Sequence, residues 1–204
     1  MKILNNKILK ISVLLAFIFS VLINLVSFDA NCNELKNNVF RLHIIANSDS
    51  ENDQLLKLKV RDAILNAGGK EFENCQNIND AINNAKNNIQ NYKKTAQDVV
   101  VSNGYNYNVE VCVEKTYFNT RVYDEFALPA GEYYALCIKI GKAEGKNWWC
   151  VMFPALCVPT ATNAKLENSV GDSAVNIANN HKKYIFRFKT IEIFEQIKKN
   201  IKIK

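Results

Sequence analysis

Histidine, proline and glycine are all scarce in this chain of 204 residues, which holds two, three and seven of them respectively. Any Ser-His or Cys-His catalytic arrangement must therefore use His43 or His181. So few prolines and glycines argue against long flexible linkers, which are rich in these residue types. The length and composition favour one folded domain of ordinary size, with at most a short appendage.

Several sequence patterns with known chemistry are also missing. The chain has no G-x-S-x-G, P-loop, H-E-x-x-H or dinucleotide-binding pattern. It has six cysteines but no C-x-x-C pair, so cysteine spacing does not predict a zinc site. The net charge of +6 is not concentrated in a dense basic block with interleaved aromatics, as nucleic-acid binding would require. We therefore expect no metal, no cofactor, no nucleic-acid partner and no catalytic residues.

The N-terminus carries an apolar run, Ile11–Phe28, behind a start that holds lysines and no acid. A positive start before an apolar core is typical of an export signal, and the run approaches the length of a membrane-spanning helix. Residues 1–30 are accordingly predicted to be a signal peptide or an N-terminal membrane anchor. A cut after Ala30 would have Phe28 as an unfavourable neighbour, so cleavage and retention both stay open. Residues 31–204 are predicted to form a single extracytoplasmic domain.

The segment Phe40–Ser50 predicts a strand that leads directly into a helix. Apolar residues alternate along it, which places Arg41 and His43 on the opposite face. The polar run after the strand contains Asn47 and Asp49, and it offers two helix caps. Ser48 with Glu51 fits a capping box, and Ser50 with Asp53 is a weaker register. One interpretation is a partner-binding site that uses Arg41, His43, Asn47 and Asp49; the other is a capped turn beside a solvated strand face.

Hydrophobic periodicity predicts the other elements. Helices are predicted at 51–66, ending at Gly68-Gly69, at 79–102 and at 190–201. Strands are predicted at 105–113, 121–127, 133–140, 147–153 and 184–189, with 133–140 central and 147–153 returning antiparallel to it. The polar stretch Thr160–Asn180 lacks periodicity and is predicted to be a surface excursion. The fold class is α+β, with a mainly antiparallel sheet of five to six strands and helices on one face.

Both tryptophans and two cysteines lie close together near the predicted fourth strand. Trp148 and Trp149 are adjacent, so they point to opposite faces, one towards the core and one available as a partner anchor. Outside the cytoplasm, Cys150 and Cys157 are the best pair for a disulfide. The alternative is that both are reduced core residues.

Two separated motifs resemble the stage II sporulation protein R family. The first is Arg41–Ser50, followed by Asp53-Gln54 and Leu58–Ala63. The second is Leu128–Tyr133, with Pro129, Gly131 and Glu132 in its turn, together with Gly141–Pro154 and Leu156-Cys157. The terminal segment Tyr184–Ile201 also resembles the end of the family.

The resemblance implies a signalling protein without catalytic activity. Such a protein is made in the forespore and exported into the space between the two septal membranes, either free or tethered by its N-terminal segment. There it activates a membrane-embedded aspartic protease of the mother cell, which cleaves the precursor of sigma E. From the residues alone, one alternative stays open: an extracytoplasmic hydrolase that uses His43 with Ser48 or Asp49.

Overall fold

The computed structural model describes residues 2–123, 126–154, 156, 166 and 169–202. Its helices α1 to α6 are Lys2–Asn38, Glu51–Glu73, Ile78–Asn87, Ile89–Ser102, Asp172–Asn179 and His181–Lys202. Its strands β1 to β6 are Phe40–Ile45, Val109–Phe118, Arg121–Val122, Ala127–Leu128, Gly131–Ile140 and Asn147–Phe153. The predicted α+β class is confirmed.

Four strands form the main sheet, in the order β2-β5-β1-β6, and β3 pairs with β4 in a separate two-stranded sheet. β5 is central, as predicted, antiparallel to β2 and parallel to β1. The predicted antiparallel pairing of β5 with β6 is wrong, because β6 pairs with β1 instead. The loop between β5 and β6 crosses the end of β1, where the amide of Gly145 donates to the carbonyl of Ala46 at 2.9 Å.

Helices cover both faces of the main sheet, so the prediction of helices on one face is wrong. On the first face, Leu42 and Ile138 pack against α2, α3 and α4 in one continuous core. On the second face, Ala135 and Val151 pack against α1 and α5, through residues such as Leu35 and Ala174. The second helical layer comes from segments whose role in the core the sequence pattern did not predict.

α1 is one uninterrupted helix that includes residues 2–30 of the predicted leader and extends into the domain. Phe28 and Cys32 near its end are buried against α5 and α6. Among the described residues, Asn6–Asn38 is the one helical stretch long and apolar enough to cross a membrane, a criterion that a signal sequence also meets. The boundary predicted at residue 30 therefore falls inside a helix, and whether the chain is cut there stays a prediction.

Several predicted boundaries are wrong, each for a local reason. α2 begins at the weaker cap, since Ser50 accepts from the amide of Asp53, and it continues through Gly68-Gly69. The predicted helix 79–102 is two helices that meet at Asn88, where the backbone (φ −103°, ψ 9°) departs from α-helical values and the side chain bonds to the carbonyl of Asn84. β2 begins only at Val109, whose amide is held by the side chain of Gln97.

The C-terminal third differs most from its prediction. Segment 184–189, predicted as a strand, lies in α6, because Tyr184, Phe188 and Ile191 recur at helical spacing against α1. The stretch predicted as an irregular excursion contains α5; its residues 160–165, 167 and 168 lie outside the described residues. Residues predicted as one strand at 121–127 form the short β3 and the first residue of β4.

Candidate functional site

Arg41 is fully buried beneath the second face of the sheet. Its guanidinium carbon lies 4.0 Å from the ring centre of Phe118 and 5.0 Å from that of Tyr133. Its Nη2 donates to the hydroxyl of Tyr123 at 2.6 Å, whereas Nε and Nη1 have no acceptor within the described ranges. A buried cation stacked on two rings is a supporting residue, and Arg41 offers no surface to a partner in this structure.

His43 lies next to Arg41 on the same face, half-buried. Its Nε2 is 3.0 Å from Oδ1 of Asn147, and its Nδ1 is 3.9 Å from the thiol of Cys137. Burial lowers the pKa of His43, and the hydrogen bond with Asn147 opposes this effect only in part. The imidazole is therefore neutral at neutral pH.

Asn47 and Asp49 connect the β1–α2 junction to the loop that crosses it. Oδ1 of Asn47 accepts from the amide of Lys142 at 3.0 Å, and Oδ1 of Asp49 accepts from the amide of Lys146 at 2.6 Å. The hydroxyl of Ser48 donates to the Asp53 carboxylate at 2.5 Å. These contacts give the polar run a structural role, and its use in partner binding stays a prediction.

A cleft of about 570 Å³ follows the outer edge of β6. Trp148, Trp149, Cys150 and Val151 all line it, although consecutive residues of a strand point to opposite faces. Such a cleft must follow the strand's edge, because a pocket above one face would touch only alternate residues. On this side β6 has no strand partner within the part of the chain that the structure describes.

The two walls of the cleft come from distant parts of the chain. α2 supplies one wall, with Leu65 and Asn66 beside Trp148. Tyr123 and Phe126 supply the other wall beside Trp149, and their rings stack with centres 4.7 Å apart. Because Tyr123 accepts the hydrogen bond of Arg41, that buried residue supports the second wall from behind.

An arginine side chain stacks on the ring of each tryptophan. The guanidinium of Arg61 lies 4.4 Å from the ring centre of Trp148, and that of Arg121 lies 3.3 Å from that of Trp149. Burial lowers the pKa of Arg121, and the nearby Arg41 adds to the effect, yet an arginine stays charged at any physiological pH. Neither indole N–H has an acceptor among the described residues, so within that part of the chain each donor is unpaired.

Residues 36–163, more than half of the chain, match the family model described as stage II sporulation protein R (spore_II_R). The chain belongs to the stage II sporulation protein R family. It is also 36% identical, over 125 residues, to the stage II sporulation protein R of Bacillus subtilis (strain 168). That match covers 61% of this chain and 56% of the relative, so it spans about half of the relative's length. No solved structure matches.

The cleft lies entirely within the part that matches the family, from Arg61 to Leu156. Sequence reasoning selected Trp148 and Trp149 but missed Arg61, Tyr123 and Phe126 as their neighbours. Arg61 carried a signal, because it belongs to the family-like stretch Leu58–Ala63. Tyr123 and Phe126 carried none, because their proximity to β6 depends on how the chain folds back.

The turn after β4, which belongs to the family-like motif, is held by a hydrogen bond within it and packs closely against α1. The hydroxyl of Tyr133 donates to the carbonyl of Pro129 at 2.6 Å, and Gly131 has a φ of 151°. A side chain on Gly131 would collide with Lys36 of α1, so glycine allows α1 to approach. Glu132 is exposed.

Only one of the two cysteines of the predicted disulfide lies among the described residues. Cys150 is disulfide-bonded. Cys157, its predicted partner, lies outside the described residues, so the pairing stays a prediction.

Proposed function

We propose that this chain is a sporulation signal that acts outside the cytoplasm by binding and activating a membrane-embedded aspartic protease. In this proposal the protein is made in the forespore and exported into the intermembrane space. The activated protease of the mother cell then cleaves the precursor of sigma E. Membership of the stage II sporulation protein R family supports the proposal, and so does an N-terminal helix long and apolar enough to enter a membrane.

The cleft along β6 is the proposed contact with the protease. A strand at the edge of a sheet can accept an extended segment of another protein as an additional strand. Side chains of such a segment would alternate between the wall beside Trp148 and the wall beside Trp149. Aromatic residues with arginines stacked on them are typical of the residues that dominate binding energy. The single observation that carries this choice of contact surface is a cleft that touches four consecutive residues of a strand edge.

The hydrolase alternative has less support from the geometry. It requires His43 within hydrogen-bond reach of Ser48 or Asp49. Instead, His43 contacts Asn147 and Cys137, while Ser48 and Asp49 bond to Asp53 and to the amide of Lys146. Each of the three side chains is committed to a different neighbour.

The proposal can be tested by filling the cleft without disturbing the core. Asn66 is exposed on α2 at the rim of the cleft, so Asn66→Trp places a large side chain where the partner strand would lie. Asn83→Trp is the matched control, an exposed asparagine on α3 that does not line the cleft. Both variants and the wild-type chain would be expressed in sporulating cells that lack their own family member, and cleavage of the sigma E precursor measured.

We expect wild type and Asn83→Trp to restore cleavage, and Asn66→Trp to reduce it about tenfold or more, as a loss of about 1.4 kcal/mol of binding would. Thermal unfolding and export of the three proteins should be the same. If wild type itself fails to restore cleavage, the proposed function is wrong. If Asn66→Trp is as active as wild type, the function stands and the cleft is not the contact.

A further inference from the structure

Four side chains with metal-binding atoms converge on the second face of the sheet, away from the cleft. They are Cys112 and Glu114 on β2, Cys137 on β5 and His43 on β1. The thiols of Cys112 and Cys137 and a carboxylate oxygen of Glu114 all lie within 4.8 Å of one another. Nδ1 of His43 lies 3.9 Å from the Cys137 thiol.

Strand register brings these residues together. Cys137 pairs directly with Cys112 across the antiparallel β2–β5 ladder and with His43 across the parallel β5–β1 ladder. Glu114 follows Cys112 by two residues and so projects from the same face. Three neighbouring strands therefore present four donor groups side by side on a framework of backbone hydrogen bonds.

We infer that Cys112, Glu114, Cys137 and His43 form a binding site for a zinc-class divalent cation. Typical bond lengths to zinc place tetrahedral sulfur, nitrogen and oxygen ligands about 3.4 to 3.8 Å apart. The separation between the Cys137 thiol and His43 is already close to this range. Two thiols with an imidazole select a borderline-soft cation over magnesium or calcium, which prefer oxygen ligands only.

The hydrogen bond of His43 to Asn147 orients the imidazole for this role. A carbonyl oxygen only accepts, so Nε2 of His43 donates to Oδ1 of Asn147, and the ring proton is on Nε2. This leaves the lone pair of Nδ1 directed at the cluster. Histidines that bind metals are commonly held in this way by a second hydrogen bond to a neighbouring group.

The competing arrangement is a disulfide between Cys112 and Cys137. Both are free thiols in this structure. A disulfide would use neither Glu114, which approaches both thiols, nor His43, which approaches the thiol of Cys137. A bound cation uses all four groups and, with four protein ligands, acts structurally by joining β2, β5 and β1.

Cobalt binding tests the inference directly. The full chain would be purified in detergent without oxygen or thiol reductant, so that the disulfide at Cys150 is kept, and titrated with Co²⁺ and then Zn²⁺. We expect a thiolate-to-cobalt charge-transfer band that saturates at one ion per chain and is displaced by Zn²⁺. Cys112→Ser and Cys137→Ser should each weaken the band and reduce affinity. Glu114→Gln, at an exposed position, should reduce affinity with the fold intact.

Two further variants distinguish a cation site formed by these four residues from incidental cation binding at a free thiol. Cys75→Ser removes a free, half-exposed thiol elsewhere and should leave the band unchanged. Asn147→Ala removes only the bond that orients His43 and should weaken binding by about 10- to 100-fold. The inference is overturned if wild type gives no band, if the band survives both Cys112→Ser and Cys137→Ser, or if peptide mapping of exported protein finds Cys112 joined to Cys137.

Discussion

Asp53 is the residue on which the β1–α2 junction depends. Burial alone would raise its pKa, but hydrogen bonds from Ser48 and Asn47 outweigh burial and hold the pKa of Asp53 below its ordinary value of 3.8. Its backbone amide also donates to Ser50, the N-cap of α2. One residue therefore joins the end of the strand to the start of the helix, and the carboxylate form is the stabilising one.

We predict that Asp53→Asn lowers the free energy of unfolding by about 2 kcal/mol at neutral pH, the scale of hydrogen bonds to a charged group. Because the folded pKa is below the unfolded one, the stabilisation by Asp53 is complete above pH 3.8 and is lost as pH falls below that value. The difference in free energy of unfolding between wild type and variant, measured with urea, should therefore be smaller below pH 3.8 than at neutral pH. A difference of the same size at acidic and neutral pH would contradict this explanation.

At the scale of elements, α2 shows how packing overrides a local stop signal. Gly68 and Gly69 predict a helix end, yet α2 continues to Glu73. A side chain at position 68 would lie 2.7 Å from the hydroxyl of Tyr92 on α4, whereas position 69 has no neighbour within 4 Å. Gly68 therefore permits the close contact of α2 with α4, and Gly69 serves no packing purpose in the described structure.

These adjacent glycines allow a matched comparison. Gly69→Ala should raise the free energy of unfolding by up to about 1 kcal/mol, because alanine is the better residue in a helix interior. Gly68→Ala should lower it by about 1 to 3 kcal/mol, because the added methyl group must displace Tyr92. Thermal unfolding of both variants measures the difference, and equal shifts of the same sign would show that Tyr92 does not constrain position 68.

At the scale of the whole molecule, α1 joins the apolar leader to the folded domain. Phe28, near the end of the leader, is only 3% exposed, and its ring centre lies 5.6 Å from those of Tyr184 and Phe188 on α6. Residues further back in the apolar run, such as Phe17, are exposed. The last turns of α1 are thus part of the domain core, while the preceding turns have no core of their own.

Substituting the two phenylalanines should separate these roles. Phe28→Ala should lower the free energy of unfolding by about 3 kcal/mol, the typical cost of a cavity left by a buried phenylalanine. Phe17→Ala should leave the unfolding of the domain unchanged. Unfolding of the full chain in detergent, followed by near-ultraviolet circular dichroism, tests both. No effect of Phe28→Ala would mean that α1 and α6 are not packed together.

The sequence by itself determined the α+β class, the family, the apolar leader and the strands β1 and β6. The alternation in β1, the apolar run of β6 and the turn residues beside them are local signals. The sequence also identified the tryptophans that line the cleft. It did not predict that 184–189 is helical, because a short apolar run fits both the strand and the helical periodicity. Contact with another element decides between the two. For α6 that contact is with Phe28 on α1.

Only the tertiary structure decided which strands are adjacent. β6 pairs with β1 because the loop after β5 is drawn across the junction by Asn47 and Asp49. That choice leaves β6 at the sheet's edge and creates the cleft. The pairing of β5 with β2 and with β1 likewise places Cys137 between Cys112 and His43, which are far apart in sequence. Spacing along the chain cannot reveal such a cluster, because strand pairing brings its members together.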